Sequence, residues 1–370
     1  MADAPQRLSL PTPDDWHLHL RDGAALAAVV GASARQFARA IVMPNLKPPV
    51  TTVEAARAYR DRILAAARAA GHPGFEPLMT LYLTDTTSAE EIRRAKASGF
   101  VHAVKLYPAG ATTNSDAGVT SIDRVRPALD AMQAVGLPLL VHGEVVDGDV
   151  DLFDREAVFI ERVLAPLRRR HPALKVVFEH ITTEDAAHYV RDAEAAEGTL
   201  GATITAHHLL YNRNAIFTGG LRPHWYCLPV LKRERHRLAL VAAATGGNPR
   251  FFLGTDSAPH ARALKEHASA CAGCYTAPHA LELYAMAFDA ANALERLEGF
   301  ASRHGPAFYG LPVNTRRTTL VRGRWRLSET LPFGDGEIVP LAAGEDIGWL
   351  LEDEQPGSAP APASSATRPG

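Results

Sequence analysis

The stretch WHLHLRD, residues 16–22, places two histidines on one face of an apolar strand and follows them with an arginine. In an extended strand, successive side chains alternate between the two faces, so His17 and His19 point one way and Leu18 and Leu20 the other. Two imidazoles side by side in a buried place need a shared partner, and a cation would serve as one. We therefore expect this strand to end at a polar site.

Seven more short apolar runs follow along the chain. They are AIVMPN (40–45), PLMTLYLT (77–84), VHAVKLYP (101–108), PLLVHGE (138–144), KVVFEHI (175–181), GATITAHHLL (201–210) and RFFLGTDS (250–257). Runs that stay apolar until their ends are typical of strands buried on both faces, as in a parallel sheet.

Helical segments with clear boundaries separate these runs. Thr51 with Glu54, and Ser88 with Glu91, match the capping box that begins a helix. An apolar stripe within the first of these helices consists of Val53, Ala56, Tyr59, Ile63 and Ala67. Glycines that follow a helical window, as left-handed caps do, are Gly71, Gly99, Gly136 and Gly198.

Eight strand-helix units in about 290 residues predict an α/β fold, the (β/α)8 TIM barrel. A doubly wound parallel sheet is the alternative, but no glycine-rich fingerprint follows the first strand to favour it. We expect one domain over residues 1–351. The remainder, 352–370, is rich in Pro, Ala and Ser, and we expect a disordered tail there because it has too little apolar surface to bury.

Composition excludes several classes of function. The chain has 370 residues, 46% of them hydrophobic, and a net charge of −2, so no global basic field attracts nucleic acid or an anionic membrane. The stretch MADAPQRLSLPTPDD lacks the apolar region of a signal peptide, and no run approaches membrane-spanning length, so we expect a cytoplasmic protein.

Three cysteines, Cys227, Cys271 and Cys274, are too few for a disulfide framework and fit a reducing compartment. Cys271 and Cys274 form a lone CxxC without a second ligand pair at zinc-site spacing, which favours plain packing or loop cysteines.

Polar side chains recur at the C-terminal ends of the apolar runs. After the two histidines of the first run come Asn45, Lys105, His142, His180 and Asp256. The spacing is regular, with 37 residues from Lys105 to His142, 38 from there to His180 and 76 from His180 to Asp256. Strand ends of a barrel converge on one mouth, where catalysis takes place.

Imidazole and carboxylate groups are good ligands for zinc and similar divalent metals. A single tetrahedral ion would use three or four of these residues, and a pair of ions would use more and require an anionic bridge. Lys105 does not fit as an ammonium, because metal ions repel it. A desolvated lysine loses its proton readily and can then capture CO2 as a carbamate, which supplies such a bridge. Taken singly, each residue also has an ordinary structural explanation, such as a helix cap for Asp256.

At these residues the chain resembles the dihydroorotases of the shorter bacterial type (class II), within the amidohydrolase superfamily. The motifs that carry the resemblance are DWHLHLRDG, VKLYPAGATTNS, LVHGE, FEHITT and LGTDSAPHARALKE, and it extends over about residues 8–345. It implies reversible conversion of (S)-dihydroorotate and water to N-carbamoyl-L-aspartate, the third step of de novo pyrimidine (UMP) biosynthesis.

The resemblance also implies a role for each site residue. His17, His19 and Asp256 would bind one Zn2+, His142 and His180 a second, and carboxylated Lys105 (N6-carboxylysine) would bridge them. Co2+ or Mn2+ would be substitutes. A hydroxide bridging the metals would be the nucleophile, and Asp256 would carry its proton to the leaving nitrogen. Residues implied to contact the substrate are Arg21, Asn45, His142, Leu228, His260, Ala272, Thr112 and Thr113.

Several expectations remain open at the level of sequence. The loop PAGATTNSDAG (108–118) is long, polar and glycine-bearing, as a lid should be. His207 departs from the family pattern, and neither it nor His208 receives a ligand role. The resemblance suggests a homodimer. The rivals are a hydantoinase or allantoinase, which would act on a neutral ring, and a noncatalytic assembly partner, which would lack metal ligands.

Overall fold

The computed structural model describes residues 6–194 and 198–352. The strands are β1 (Arg7–Pro11), β2 (Asp14–Leu18), β3 (Arg39–Val42), β4 (Glu76–Tyr82), β5 (Val101–Leu106), β6 (Leu139–His142), β7 (Val176–Glu179), β8 (Leu200–Ile204), β9 (Phe251–Leu253), β10 (Arg317–Arg326), β11 (Leu331–Phe333), β12 (Gly336–Ile338) and β13 (Asp346–Leu351).

Helices follow most of these strands. The α-helices are α1 (Gly23–Gln36), α2 (Val53–Ala69), α3 (Ala89–Ala97), α4 (Arg126–Val135), α5 (Arg155–Phe159), α6 (Ala165–Arg170), α7 (Glu184–Arg191), α8 (Ala206–Leu210), α9 (Glu234–Thr245), α10 (Arg262–Lys265), α11 (Ala280–Ala290) and α12 (His304–Tyr309). Two π-helical turns, Ile160–Leu164 and Gly299–Arg303, extend α5 and precede α12. Within the described ranges, no helix has both the length and the apolar character to cross a membrane.

Strands β2 to β9 form one parallel sheet in sequence order, which confirms the (β/α)8 barrel. Backbone bonds also join its two edge strands. The Asp256 amide donates to the His17 carbonyl at 2.9 Å, and the His19 amide donates to the Ser257 carbonyl at 3.2 Å. These bonds bring the end of the first barrel strand against the segment that follows the last one.

A buried carboxylate reinforces this closure. The two oxygens of Asp15 on β2 accept from the Thr255 amide at 2.9 Å and from its hydroxyl at 2.6 Å. The first of these oxygens also accepts from the His17 amide at 3.1 Å. Burial raises the pKa of Asp15 to about 6, although these hydrogen bonds oppose the rise.

The barrel interior is filled from its N-terminal end by apolar side chains. Trp16 of β2 stacks on Tyr309 of α12 with ring centroids 4.4 Å apart, and Phe252 of β9 meets the Trp16 ring edge-on. Other members of this inner cluster are Ile41, Met43, Leu78, Ala103, Leu140 and Val177. The C-terminal end of the barrel is therefore left for polar groups.

The sequence-predicted boundaries need correction, since most apolar runs extend past their strands. The run 250–257, for example, is a strand only over Phe251–Leu253. The run 201–210 is a strand only to Ile204, because Thr205 caps helix α8 by accepting from the His208 amide. Strand β2 ends at Leu18, so His19 and Arg21 lie in the loop beyond it, and Arg21 has φ +57°. The predicted capping box at Thr51 is displaced by one residue, since Thr52 is the N-cap of α2.

The expected apolar stripe of α2 is confirmed, as its buried residues are the five predicted ones. Ser88 caps α3 as expected, accepting from the Glu91 amide at 3.1 Å. The Glu91 carboxylate, however, reaches the Val53 amide at the start of α2 (2.6 Å) rather than back to Ser88.

A second sheet lies outside the barrel. It has the order β1-β10-β13, all antiparallel, and joins the two ends of the described chain. Glu352 is still attached to it, because its amide donates to Thr319 at 2.9 Å and its carboxylate pairs with Arg7. Residues 353–370, which hold nearly all of the predicted disordered tail, lie outside the described residues, so that expectation and the single-domain limit stay predictions.

The position of the α2 cap can be tested by mutation. We expect Thr52→Ala to lower the free energy of unfolding by about 1 kcal/mol, because the hydroxyl accepts from the Ala55 amide at 3.2 Å. Thr51→Ala is the matched control and should change stability by less than about 0.5 kcal/mol. Urea unfolding of both variants decides between the positions, and a larger effect at Thr51 would restore the sequence-based assignment.

Candidate active site

The barrel mouth gathers the residues that the sequence singled out. Except for Lys105 and His260, every residue predicted to bind metal or substrate lines one cavity there. Tyr107, Ala258 and Gly273 complete its wall. Lys105 and His260 do not line the cavity but contact residues around it, as described below. The sequence thus predicts where the site lies, but only the structure shows which side chains contact one another there.

His17, His19 and Asp256 form the tightest cluster. The Nε2 atoms of the two histidines are 3.3 Å apart, and Asp256 Oδ1 lies 3.3 Å from the first and 3.1 Å from the second. His19 Nδ1 is 2.9 Å from Asn45 Oδ1, which only accepts, so this ring carries its proton on Nδ1 and its Nε2 offers a lone pair. Lone pairs from three groups therefore converge on one point.

Electrostatics show that this point attracts positive charge. Burial opposes a charge on His17, but Glu179 and Asp256 outweigh it and raise the pKa of His17 to about 9. Burial lowers the pKa of His19 to about 4. Burial also opposes ionisation of Asp256, but His17 and His19 hold the pKa of that carboxyl well below its usual range. A cation at the convergence point, whether a proton or a metal ion, satisfies all three groups.

A second group lies beside the first. The ring of His180 is 4.9 Å from those of both His17 and His142, measured between centroids. His17, His180 and Glu179 offer donor atoms that lie within 4.8 Å of one another. His180 Nδ1 is buried and has no hydrogen-bond partner among the described residues. Such an orphaned imidazole nitrogen is available as a metal ligand.

Glu179, which sequence reasoning missed, connects the two groups. Its carboxylate contacts the Lys105 ammonium and lies 3.1 Å from His17 Nδ1, and all three side chains are buried. Burial lowers the pKa of Lys105, while Glu179 opposes that shift. Glu144 similarly lies 2.8 Å from His142 Nε2. The available signal was an acidic residue inside or just after an apolar run and next to a strand-end histidine.

Arg21 and His260 form a basic wall on the other side. Arg21 Nε donates to the Pro259 carbonyl at 3.0 Å, which anchors the guanidinium, and its Nη2 lies 3.0 Å from His260 Nε2. His260 Nε2 is also 3.0 Å from the Ala272 carbonyl. Burial and the neighbouring Arg21 lower the pKa of His260 to about 2, so the ring is neutral and the wall carries one positive charge.

The predicted lid lies across the cavity. Thr113 Oγ1 donates to the Ala272 carbonyl at 3.3 Å, and the Thr113 carbonyl accepts from Asn45 Nδ2 at 3.1 Å. Asn114 Nδ2 donates back to the Asn45 carbonyl at 3.0 Å. These few contacts connect the 108–118 loop to Asn45, which lies beside His19, and to Ala272, which lies beside His260.

Several site residues have an unusual backbone. Arg21, Asn114, His180 and Asp256 all have positive φ, between +40° and +57°. Residues other than glycine rarely adopt this left-handed conformation, and it is concentrated at functional sites where the surrounding structure enforces it. Three of these four residues, Arg21, His180 and Asp256, follow barrel strands and line the cavity.

The chain matches a known protein family over most of its length. The model of the amidohydrolase family matches residues 10–315. A dihydroorotase of Cupriavidus pinatubonensis is 74% identical over 344 residues, which are 93% of this chain and 98% of that protein.

Two solved structures are similar as well. A dihydroorotase of Campylobacter jejuni has a TM-score of 0.86 and 35% identity, over 95% of this chain and 99% of that one. The Saccharomyces cerevisiae dihydroorotase in complex with 5-fluoroorotic acid has a TM-score of 0.86 and 34% identity, over 94% and 98% of the two chains.

The role of Glu179 can be tested through metal retention. We expect Glu179→Gln to lower metal affinity about 10- to 100-fold, because the variant no longer supports His17 with a charged acceptor. Elemental analysis after dialysis against graded chelator concentrations measures this. The control is Asp185→Asn, an exposed acid six residues away. Equal retention in both variants would assign Glu179 to packing alone.

Proposed function

This chain belongs to the amidohydrolase family, and within it to the dihydroorotases, and we propose that it interconverts (S)-dihydroorotate and N-carbamoyl-L-aspartate. The enzyme is a metal-dependent hydrolase of cyclic amides that acts on a small molecule in pyrimidine biosynthesis. The observation that carries the proposal is the basic wall of Arg21 and His260 beside the cluster of His17, His19 and Asp256. A cyclic amide with a carboxylate needs both features, whereas the neutral rings of hydantoinases and allantoinases have no use for the first.

The donor set fits two divalent cations. His17, His19 and Asp256 converge on one point, and His142 and His180 lie beside it with an orphaned nitrogen. We assign the first three to one metal ion and the other two to a second, with Zn2+ as the native ion and Co2+ or Mn2+ as substitutes, because nitrogen and oxygen ligands accept all three. When bound, such ions lower the pKa of water and polarise the attacked carbonyl.

Lys105 is proposed to carry a CO2-derived carbamate shared by both metals. Its side chain is fully buried and lies beside Glu179, which approaches His17 and His180. Burial lowers the pKa of the amine, which favours the neutral form that reacts with CO2. Formation of the carbamate would break the contact between Lys105 and Glu179, because both groups would then be anionic and would repel each other.

The chain's own residues bind and orient the substrate. Arg21 offers a guanidinium fork to the ring carboxylate, and it is held in place by Pro259. Asn45 lines the same cavity, and the neutral His260 contacts Arg21 beside it. Both would complete the grip on that carboxylate. Because the wall carries a net positive charge, it selects for an anionic ring.

Other predicted contacts surround the ring. Leu228 and Ala272 would present backbone groups to it, and His142 would approach it from the metal side; all three line the cavity. Thr112 and Thr113 lie on the loop across the mouth, which would exclude water once closed.

Asp256 is proposed as the group that moves the proton. Its Oδ1 lies 3.1–3.3 Å from two imidazoles, and its carboxyl is held ionised by them. An ionised carboxylate beside the attacked amide can take a proton and deliver it to the departing ring nitrogen. We further propose a cytoplasmic homodimer, as the resemblance and composition suggest.

Steady-state kinetics test the substrate assignment. We expect the purified protein to turn over dihydroorotate, and Arg21→Met to lower kcat/KM about 100-fold, since a charged hydrogen-bonded contact contributes about 3 kcal/mol. Dihydrouracil, the same ring without the carboxylate, should be a poor substrate that loses nothing further in the variant. Arg62→Met, which removes an exposed arginine paired with Asp22, is the control. Faster turnover of dihydrouracil or hydantoin by metal-loaded protein would overturn the assignment.

The carbamate is tested by chemical rescue. Lys105→Ala should lose bound metal and turnover, and a short carboxylic acid such as propionate should restore part of both, because it replaces the missing carboxylate. If Lys105 instead acts as an ammonium that neutralises Glu179, methylamine should rescue and propionate should not. Unchanged metal content in Lys105→Ala would remove the lysine from the ligand set altogether.

A further inference from the structure

A second group of metal-ligand atoms lies behind the substrate side of the cavity. It consists of His207 on helix α8, Cys227 and Cys274, whose nitrogen and sulfur atoms lie within 4.8 Å of one another. Each of the three side chains is only 1% exposed. None of them belongs to the ligand set assigned above, and the chain brings them together from three separate segments.

His207 has no other structural role that its polar atoms reveal. Both of its ring nitrogens are buried and lack a hydrogen-bond partner within residues 6–194 and 198–352. Burial also lowers the pKa of this ring to about 4, so it is neutral and one nitrogen offers a lone pair. Burying an unpaired imidazole costs free energy, and such groups require an explanation.

The neighbouring His208 provides a contrast within the same helix. Its Nδ1 lies 2.7 Å from the Thr205 hydroxyl, and its Nε2 is 3.1 Å from the Pro229 carbonyl. Both of its nitrogens are therefore satisfied: one accepts and the other donates. Cys227 Sγ also lies 3.8 Å from His208 Nε2, but that nitrogen already donates to Pro229. Of the two adjacent histidines, only His207 has ring nitrogens without a partner among the described residues.

The two thiols also lack strong partners. Cys227 Sγ donates to the Pro229 carbonyl at 3.3 Å and Cys274 Sγ to the His224 carbonyl at 3.5 Å, which are weak S–H bonds. Lys265 stands nearby and donates through Nζ to three backbone carbonyls. Its positive charge opposes the rise in the pKa of Cys227 that the Cys274 thiol and burial cause.

We propose that His207, Cys227 and Cys274 bind one thiophilic divalent cation, Zn2+ in the cell. Two thiolates and one imidazole are a zinc ligand set, and water would fill the fourth position of a tetrahedron. The ligand atoms of one such ion lie roughly 3–4 Å apart, so the cluster needs a shift of about 1 Å to close. Binding releases the two thiol protons, and the thiolates neutralise the ion, so no net charge is buried.

The ion would stabilise the substrate side of the active site. Cys227 directly precedes Leu228, and Cys274 follows Ala272 by two residues, so both ligands flank cavity-lining positions. The backbone already connects these segments, because the Gly273 amide donates to the Tyr226 carbonyl at 3.0 Å. A metal ion would cross-link them to α8 and fix the backbone groups that face the ring.

Cobalt spectroscopy tests the site in the full-length protein. The ligands assigned to the active site contain no sulfur, so absorption from thiolate-to-cobalt charge transfer reports only on the proposed ion. We expect chelator-treated protein titrated with Co2+ to develop this near-ultraviolet band, and Cys227→Ala and Cys274→Ala each to lose it. His207→Ala should weaken Co2+ binding at this site at least 10-fold. The matched control is Cys271→Ala, which removes the third thiol and should keep the full band.

Two results would overturn the proposal. One is the absence of a charge-transfer band in the unmodified protein whose three thiols are shown to be free in denaturant. The other is a band that survives in both Cys227→Ala and Cys274→Ala. Circular dichroism identifies a variant that fails to fold, and 113Cd NMR of the unmodified protein then decides, since cadmium bound by sulfur resonates far from cadmium bound by nitrogen and oxygen. Neither outcome depends on whether dihydroorotate is the substrate.

Discussion

Closure of the barrel between its first and last strands holds the candidate active site together. The Asp15 carboxylate receives both hydrogen bonds of Thr255, and backbone bonds join His17 to Asp256 across the same seam. Residues 239 positions apart in sequence thereby become neighbours. Without this seam, the two strand-end histidines would have no carboxylate beside them, and the point that attracts a cation would not exist. A buried, fully hydrogen-bonded acid suits this role because it is satisfied only when both edges of the sheet are in place.

The sequence predicted the site better than the elements that carry it. Residues 37 or 38 positions apart repeat the same point of successive strand-helix units, and a barrel brings such points to one mouth whatever the exact strand limits are. The limits themselves depend on turn chemistry. Thr205 ends β8 by capping α8, and Arg21 leaves the strand in a left-handed conformation. Neither the helix cap nor the left-handed residue changes the hydrophobic pattern of the sequence. Periodicity alone therefore predicts both strands to be too long.

Sequence reasoning could not identify which side chains contact one another. Glu179 looked like one more residue of a buried strand, because its function lies in contacts with Lys105 and His17, which are 74 and 162 positions away. The same holds for the cysteines. In the sequence, Cys274 forms a CxxC pattern with Cys271. In the folded chain it instead lies beside Cys227 and His207. The regular spacing of barrel strands finds residues at the strand ends, and CxxC-type motifs find ligands within one loop, but neither pairs a helix residue such as His207 with cysteines of two other segments.

The two candidate metal sites use different kinds of ligand. At the mouth, imidazole, carboxylate and the proposed carbamate leave a pair of dications with residual positive charge, which suits activation of water and binding of an anion. At the second site, the thiolates of Cys227 and Cys274 would cancel the charge of one ion. A neutral ion site of this kind suits a structural role and would not attract the anionic substrate. Since Leu228 lies one residue from Cys227 and Ala272 two from Cys274, the second ion would act on catalysis only through the positions of those backbone groups. Its loss should therefore weaken substrate binding before it affects the chemical step, the reverse of what loss of the ions at the mouth would do.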